Sequence, residues 1–390
     1  MLLKRHFYSL DKPDLFILFF VKIIFAFTLW TGLILNFKFH TNNTNIFSWR
    51  NILKHVNIPV FIPHLGCPND CVFCNQKRIS GTSSFNKNEV DSIIKNALST
   101  IDTDNTETEI AFFGGSFTGI DRDDMIFLLK TAYKYIENGS VSSIRLSTRP
   151  DYINEEILQI LKNYGVKTIE LGLQSMDDEV LCASKRGHTA KTAIEACKLI
   201  KKHNFTLIGQ MMIGLPCSTL EKEVYTANII AELCDGARIY PTVVLRETEL
   251  CSMAKRNEYT PLRLEDAVTR TGEALLVFDK AEKEVIRIGL QSGDELYDPD
   301  VVYGGDYHPA IGELAQNYLY YKKICEILDR VNDDMSGKNL VIYCSLGAVS
   351  KVVGQKRINK EKLIKNYNLK SVKVVEKNDI IGYNIILDIL

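Results

Sequence analysis

From residue 56 onward the sequence alternates short apolar runs with longer amphipathic stretches. Short runs rich in β-branched and aromatic residues predict buried strands, and a 3.6-residue periodicity between them predicts helices. Repeated βα units imply a parallel sheet with right-handed crossovers. The predicted strands are residues 56–63, 109–117, 143–150, 168–175, 206–216 and 237–245, and the predicted helices are 122–137, 154–163, 189–203, 219–233 and 263–283.

Glycines and polar residues follow several of the predicted strands. The segments are Gly114-Gly115-Ser116, Ser147-Thr148-Arg149, Gln174-Ser175 and Gly214-Leu215-Pro216. Six βα units can form a barrel or an open doubly wound sheet. In barrels, the carboxyl ends of the strands are where sites are built. The sequence therefore predicts a functional site at that edge.

Three cysteines follow the first predicted strand, at Cys67, Cys71 and Cys74. Three thiolates this close together suit a soft metal. A 4Fe–4S cluster normally takes four protein ligands, so three would leave one iron open to a substrate. The alternative is zinc, which His64 and the three cysteines could bind as a Cys₃His set.

The other seven cysteines are scattered, without a second C-x-x-C pair. A small secreted disulfide scaffold would be shorter and denser in cysteine. We therefore expect these seven to be buried as small apolar residues in a protein of the reducing cytoplasm.

Six motifs in order resemble the radical SAM (S-adenosylmethionine) superfamily, in particular the branch of the Elongator catalytic subunit. They are residues 61–81, 145–152, 169–175, 186–189, 210–216 and 237–249. The resemblance covers about residues 56 to 320. Oxygen-independent coproporphyrinogen oxidase is a more distant likeness. The resemblance implies an α/β fold, namely a partial (β/α)6 TIM-like barrel with a small C-terminal α/β extension.

The resemblance also implies a chemistry. Cys67, Cys71 and Cys74 would be the catalytic metal ligands of a 4Fe–4S cluster whose fourth iron binds SAM. Reductive cleavage of SAM would give a 5′-deoxyadenosyl radical that abstracts hydrogen from an RNA base or a small metabolite. The electron would come from a reductant such as flavodoxin or ferredoxin. The cofactor then does the difficult step, while the protein orients it.

The same resemblance assigns the residues around SAM. Arg186 would pair with the SAM carboxylate, for which a guanidinium is chemically apt. Ser147 stands where related enzymes often carry a ribose-binding Glu, and Gln174 would reach polar atoms of the ribose or methionine. The adenine side would be formed by Phe73, Gly214 and Pro216, and the methionine amino group would meet the backbone of Gly114, Gly115 and Ser116.

Two departures from the relatives limit what the resemblance implies. Coproporphyrinogen oxidases typically show a further Cys two residues beyond the triad, and this chain has Gln76 there. The chain ends at residue 390 without the glycine-rich CoA loop of the Elongator acetyltransferase domain. We therefore do not expect the uridine carboxymethylation of that family. The alternatives are a decarboxylating enzyme like coproporphyrinogen oxidase, against which Gln76 argues, and a non-catalytic iron–sulfur or zinc protein.

The sequence predicts three regions, over residues 1–54, 55–300 and 301–390. The apolar stretch 15–37 has the length of a membrane-spanning helix. It is either a membrane anchor or upstream sequence before a true start near Leu53. A low-potential cluster and its SAM belong in the cytosol, so an anchored form would keep the catalytic core there.

The 301–390 extension is predicted to form strands at 339–344 and 372–389 around a helix at 359–367. Residues 351–377 carry nine Lys or Arg against two Glu. This region is either an RNA-contacting edge or a solvated surface. Tyr303, Tyr307 and His308 lie just past the predicted barrel, where they either face the substrate or pack a loop.

Overall fold

The computed structural model describes residues 54–62, 65–67, 71–75, 85–103, 105–291, 293–331 and 333–390. Within these ranges, every helix is too short or too polar to cross a bilayer. The predictions about the stretch 15–37 and about a start near Leu53 lie outside the described residues.

The secondary structure of these ranges follows the predicted alternation. The strands are β1 (Lys54–Ile62), β2 (Thr106–Gly114), β3 (Ser143–Thr148), β4 (Val166–Gln174), β5 (Thr206–Ile213), β6 (Gly236–Pro241), β7 (Val244–Leu245), β8 (Glu284–Ile288), β9 (Val302–Gly304), β10 (Asn339–Cys344), β11 (Ser371–Glu376) and β12 (Ile385–Ile389). The helices are α1 (Val90–Leu98), α2 (Arg122–Glu137), α3 (Glu155–Asn163), α4 (Asp178–Ala183), α5 (Ala190–Lys202), α6 (Leu220–Leu233), α7 (Glu249–Lys255), α8 (Leu264–Lys280), α9 (Ile311–Leu328), α10 (Val349–Val353) and α11 (Ile358–Asn366).

Seven strands form one parallel sheet in the order β1-β2-β3-β4-β5-β6-β8. The sheet curls into a half-barrel with helices on its outer face, which confirms the predicted α/β partial barrel. Five of the six predicted strands are present as single strands, and the sixth, 237–245, divides into β6 and β7, which belong to different sheets. The seventh, β8, was missed because its five residues include Glu284 and Arg287, which interrupt the apolar run.

Side chains alternate between the two faces of the sheet. In β1, Ile58, Val60 and Ile62 are buried in the core between the sheet and its helices. The residues between them point to the concave face, as the period of two along a strand requires. Pro59 is tolerated because β1 is an edge strand and needs fewer ladder hydrogen bonds.

The C-terminal extension forms a second, three-stranded sheet. Strand β10 pairs in parallel with β11 and antiparallel with β12. Leu340 and Ile342 of β10 join the same apolar core as the half-barrel. Helix α9 is tied to α8 by a bond from the Tyr318 hydroxyl to Glu273, at 2.6 Å. The predicted strand 339–344 and the predicted helix are confirmed, whereas the predicted strand segment 372–389 forms two strands, β11 and β12, joined by a turn.

The expectation that the scattered cysteines are buried is only partly correct. Cys197, Cys234, Cys251 and Cys344 are buried, and Cys325 is half-buried. Cys182 and Cys217 are exposed, because they lie in α4 and in the loop before α6, where no element covers them.

Candidate active site

The loop that follows β1 carries the three predicted cysteine ligands. Within it, the Cys74 N–H donates to the Cys71 carbonyl at 3.0 Å. The backbone of Val72 bonds both the carbonyl of Ser184 at 3.2 Å and the N–H of Leu250 at 2.7 Å. These bonds hold the cysteine loop between the segments that follow β4 and β7, at the carboxyl edge of the half-barrel.

The Gly114-Gly115-Ser116 segment packs directly against this loop. The Gly115 N–H donates to the Ile62 carbonyl at 2.8 Å, and the Ser116 N–H donates to the Leu65 carbonyl at 3.0 Å. A Cβ atom at Gly115 would lie 2.1 Å from the Leu65 oxygen. Glycine is therefore required here by the close approach of two backbones. The contact of Gly115 with the SAM amino group stays a prediction.

The loop also depends on Gly66, and this dependence gives a first testable prediction. Gly66 has a φ of 73°, and a Cβ there would lie 2.2 Å from the Ser116 oxygen. Gly66→Ala should therefore lower the free energy of unfolding by about 2 kcal/mol or more, through strain and overpacking. Denaturant unfolding of the apoprotein measures this.

Gly139→Ala is the matched control for Gly66→Ala. Gly139 has a φ of 76°, and a Cβ added there would have no other atom within 4 Å. The control carries the same backbone strain without the clash. Equal losses of stability in the two variants would show that the close packing of the loop against Ser116 is not required.

The Ser116 side chain is used inside the protein. It is buried, and its hydroxyl lies 2.9 Å from that of Thr148 and accepts the Arg149 N–H at 3.3 Å. These bonds join the ends of β2 and β3. The predicted contact of Ser116 with the methionine amino group concerns its backbone carbonyl, which also accepts the Gly119 N–H at 2.9 Å.

Two buried arginines lie beside the thiols. Arg186 donates from Nη1 to the Cys71 sulfur at 3.2 Å and from Nη2 to the Gly172 carbonyl at 2.6 Å. Arg149 donates to the Arg186 carbonyl at 2.5 Å and is paired with Asp151. Burial raises the pKa of the Cys67 thiol, and the charges of Arg149 and Arg186 act in the opposite direction. The two arginines thus favour the thiolate form of Cys67, against the larger effect of burial.

Several buried polar atoms at this edge have no hydrogen-bond partner among the described residues. Native proteins leave few such atoms unpaired, so each one requires an explanation. The unpaired atoms are Arg149 Nη1, Gln174 Oε1, Ser184 Oγ, Arg186 Nε and His188 Nε2. Burial and the charge of Arg186 lower the pKa of His188 to about 4, so its ring is neutral near pH 7.

These observations test whether the chain fits a 4Fe–4S cluster with SAM. The unpaired donors and acceptors suit a ligand with charged amino and carboxylate groups, and the thiols lie beside them. Within the described ranges, no three Cys, His, Asp or Glu side chains converge on one metal ion. A cluster does not need that convergence, because each thiolate binds a different iron. His64, which the zinc alternative requires, lies outside the described residues.

Gly214 and Pro216 line a cavity of about 310 Å³ together with Met253, Tyr259 and Arg270. The Tyr259 hydroxyl donates to the Gly214 carbonyl at 2.6 Å. Phe73 packs on the apolar cluster that also contacts Met253 and Tyr259. The predicted adenine-side residues are therefore brought to one region.

A buried ion pair sets the shape of the Gly214 loop. Glu223 accepts the Gly214 N–H at 2.6 Å and two bonds from Arg270, at 2.7 and 2.5 Å. The sequence did not predict this pair, because both residues lie within predicted helices and carry no motif. The sequence signal that could have indicated this pair is a Glu a few residues after the Gly-Leu-Pro turn that ends β5.

The half-barrel interior carries a charged network that the sequence did not predict. Glu170 is fully buried and accepts bonds from Arg145 at 3.0 Å, Arg238 at 2.7 Å and Gln210 at 2.9 Å. Glu109 accepts a further bond from Arg145 at 2.8 Å. The available signal was a single charge inside otherwise apolar strands, as in TIELG and GARIYP.

Ser147 and Gln174 lie at the interior face and the end of neighbouring strands. Ser147 is half-buried on β3, in register with Glu170. Gln174 ends β4 with a φ of 66°, which is unusual for a residue other than glycine. Such local strain is common at functional sites. Their contacts with ribose stay predictions.

The tyrosines past the barrel lie on a separate ribbon. Strand β9, which contains Tyr303, pairs antiparallel with β7. The guanidinium of Arg246 lies 5.6 Å from the Tyr303 ring. Tyr307 packs edge-on against Tyr297, and His308 accepts the Ala310 N–H at 3.1 Å. Tyr303 and His308 thus have packing contacts, whereas the buried Tyr307 hydroxyl has no hydrogen-bond partner among the described residues.

Comparison with known proteins gives two family matches that follow one another along the chain. The radical SAM superfamily matches residues 61–227. The radical SAM C-terminal domain matches residues 234–321. The first match runs from the end of β1 into α6, and the second runs from β6 into α9. Together they reach every strand of the half-barrel sheet.

Curated relatives match the same part of the chain. A tRNA uridine(34) acetyltransferase of Methanocaldococcus infernus is 39% identical over 184 residues, covering 45% of this chain and 33% of the relative. Elongator complex protein 3 of Schizosaccharomyces pombe is 31% identical over 172 residues, covering 42% and 31%. The chain thus spans about a third of the length of these relatives.

A solved structure shows the same fold. It is the Elp3 protein of Methanocaldococcus infernus with an N-terminal deletion, at a TM-score of 0.55 and 21% identity, covering 70% of this chain and 64% of that one. Superfamily members are enzymes that use a 4Fe–4S cluster with SAM and need a reductant. With its cysteine loop at the carboxyl edge of the matched half-barrel, the chain belongs to the radical SAM superfamily.

Proposed function

We propose that this protein cleaves SAM reductively and uses the resulting radical to activate a base of an RNA. The observation that carries the proposal is the juxtaposition of the cysteine loop with buried Arg186 and with unpaired polar atoms at one sheet edge. When bound, a reduced 4Fe–4S cluster and SAM supply a 5′-deoxyadenosyl radical that abstracts a hydrogen atom.

The residues of the edge then have distinct tasks. Cys67, Cys71 and Cys74 would hold the cluster, and Arg186 would bind the SAM carboxylate. Arg149 positions Arg186 by donating a hydrogen bond to the Arg186 backbone carbonyl. The Gly214 loop, which Glu223 holds by accepting the Gly214 N–H, would form one wall of the adenine-binding region. The interior face would exclude bulk water from the reacting atoms.

The first test is anaerobic SAM cleavage by the full chain. The protein is reconstituted with iron and sulfide, given SAM and a strong reductant, and 5′-deoxyadenosine is quantified. Formation of 5′-deoxyadenosine supports the proposal. A protein that is fully loaded with cluster but forms none, or that binds zinc in place of iron, would contradict it.

The RNA substrate is supported by the relatives and by the C-terminal extension. The matched curated proteins are named for tRNA uridine(34) or for Elongator. Lys356 and Arg357 are exposed between α10 and α11, both with left-handed φ values of 53° and 64°. Buried Asn359 holds this turn by donating to the Asn317 carbonyl at 2.8 Å. The turn presents two cations to solvent.

Removal of these cations gives a second prediction. The combined Lys356→Ala, Arg357→Ala and Lys360→Ala variant should bind a tRNA about tenfold more weakly and with a shallower salt dependence, because fewer phosphates are neutralised. Filter binding at several salt concentrations measures both quantities. SAM cleavage without RNA should not change.

The control replaces three lysines elsewhere, Lys130, Lys134 and Lys162, which are exposed on α2 and α3. It removes the same charge from a different surface. Equal losses of affinity in both triple variants would refute a specific RNA contact by the extension. Unaltered affinity in the first variant would favour a small metabolite as substrate.

The electron donor and the cellular compartment are also part of the proposal. Flavodoxin or ferredoxin would supply the electron, and the protein would work in the cytosol. Both follow from the reductive chemistry. Binding of flavodoxin or ferredoxin to the cluster-loaded protein tests the proposed electron donor.

A further inference from the structure

The three side-chain nitrogens of Arg186 have three different surroundings. Nη1 donates to the Cys71 sulfur at 3.2 Å, and Nη2 donates to the Gly172 carbonyl at 2.6 Å. Nε is buried and has no partner within the described part of the chain. Only Nε is therefore available to the SAM carboxylate, whereas Nη1 is already engaged with a predicted cluster ligand.

The guanidinium of Arg186 is held in place by the protein itself. The Arg186 N–H donates to the Leu181 carbonyl at 2.9 Å, and the Arg186 carbonyl accepts a bond from the Arg149 guanidinium at 2.5 Å. Arg186 is only 6% exposed. Because its backbone and its Nη2 are both fixed, the Nη1 donor is directed at the Cys71 sulfur without help from a ligand.

The charge of Arg186 has no carboxylate partner among the described residues. Its Nη1 and Nη2 bond a sulfur and a carbonyl, and its Nε is unpaired. Asp151 pairs with Arg149 instead, at 2.9 Å. A buried cation acts strongly on neighbouring charges, because little water screens it. The group that Arg186 bonds directly, the Cys71 sulfur, is negative once it binds a metal as a thiolate.

A donor on a ligating sulfur changes how readily an iron–sulfur cluster accepts an electron. Hydrogen bonds to the sulfurs and the net charge around a cluster are among the factors that set its reduction potential. The reduced form carries one more negative charge than the oxidised form. A buried cation that bonds a ligating sulfur therefore stabilises the reduced form more than the oxidised form.

We propose that Arg186 raises the reduction potential of the cluster through its bond to the Cys71 sulfur, so that a mild reductant can deliver the electron. This inference rests on the proposed function, since it requires a 4Fe–4S cluster on the three cysteines. It gives Arg186 a redox role that is separate from SAM binding. Nη1 acts on the cluster, and Nε is left for the SAM carboxylate.

Arg186→Met tests the proposal in the reconstituted full chain without SAM. The potential is measured by anaerobic titration with dithionite, and the reduced cluster is followed by electron paramagnetic resonance. At a fixed solution potential, the ratio of reduced to oxidised cluster should fall about tenfold, which is about 59 mV for a one-electron couple. Because SAM is absent, lost SAM binding cannot cause the shift. An unchanged potential would overturn the inference.

Lys185→Met is the matched control, because it removes the same charge from the preceding residue of the same loop. The Lys185 side chain is exposed. Water and salt screen its charge, so the potential should stay at the wild-type value. Equal shifts in Lys185→Met and Arg186→Met would contradict the proposal, since they would assign the effect to the net charge of the loop.

Arg186→Lys separates the bond from the charge, and it carries the test if Arg186→Met binds no cluster. Lysine keeps the charge but cannot bond Gly172 and Cys71 through one planar fork, so the ratio should still fall by about threefold. A wild-type potential in Arg186→Lys would remove the bond to Cys71 from the proposal.

Failure of the redox role and failure of the proposed function give different results. A wild-type protein that is loaded with cluster but forms no 5′-deoxyadenosine from SAM would contradict the proposed function. A wild-type protein that forms 5′-deoxyadenosine, but has the same cluster potential as Arg186→Met, would contradict only the redox role.

Discussion

Cys71→Ala protein is expected to lose its iron–sulfur absorption and to form no detectable 5′-deoxyadenosine under anaerobic reconstitution. Cys71 is the buried cysteine of the triad, and its sulfur accepts a bond from Arg186 at 3.2 Å. With two thiolates left, the cluster would lack a third protein ligand. Iron and sulfide content, the visible absorption spectrum and product analysis measure the loss.

Cys182→Ala is the control for this experiment, because Cys182 is exposed in α4 and lies outside the predicted triad. It should reconstitute like the wild type. A Cys71→Ala protein with normal cluster content would exclude Cys71 as a ligand. The same two variants distinguish an iron–sulfur cluster from a zinc site, because zinc would give no visible absorption.

Arg186→Met should raise the KM for SAM by about a hundredfold while the cluster still forms. The unpaired Nε of Arg186 can donate a charge-assisted hydrogen bond to the carboxylate, which contributes about 2–3 kcal/mol, and methionine replaces only the apolar stem. Arg186→Lys should not restore SAM affinity, because an ammonium cannot reproduce the fork. SAM titrations of cluster-loaded protein measure the effect.

Lys191→Ala removes an exposed cation at the start of α5 and serves as the control. It should leave the KM for SAM unchanged. If Arg186→Met lowered cluster content as much as Cys71→Ala, Arg186 would be acting on the thiols through its bond to Cys71. A normal KM for SAM would show that Arg186 does not bind the carboxylate.

The arrangement of the half-barrel could be predicted because its signals are local. Each of β1 to β6 is an apolar run, and helix periodicity separates them. The cysteine spacing and the strand-ending glycines are likewise written in short segments. Strand β8 was not predicted, because Glu284 and Arg287 make its sequence polar. It forms a strand because it pairs with β6 at the edge of the sheet.

Other features could not be predicted, because they depend on partners far apart in sequence. The Ser116 hydroxyl bonds the Thr148 hydroxyl and the backbone N–H of Arg149, and no short segment of the sequence indicates these bonds. Glycine is required at Gly115 because the Leu65 carbonyl leaves no room for a Cβ atom. In both cases the partners meet only after the sheet has formed.

The sequence by itself determined the superfamily, the alternation of strands and helices, and the three thiols after the first strand. These follow from residue type and spacing, which act within a few residues. The tertiary structure decided how charges are paired. Glu170 from β4, Arg145 from β3 and Arg238 from β6 meet only because the sheet curls and brings alternate side chains of distant strands into one interior.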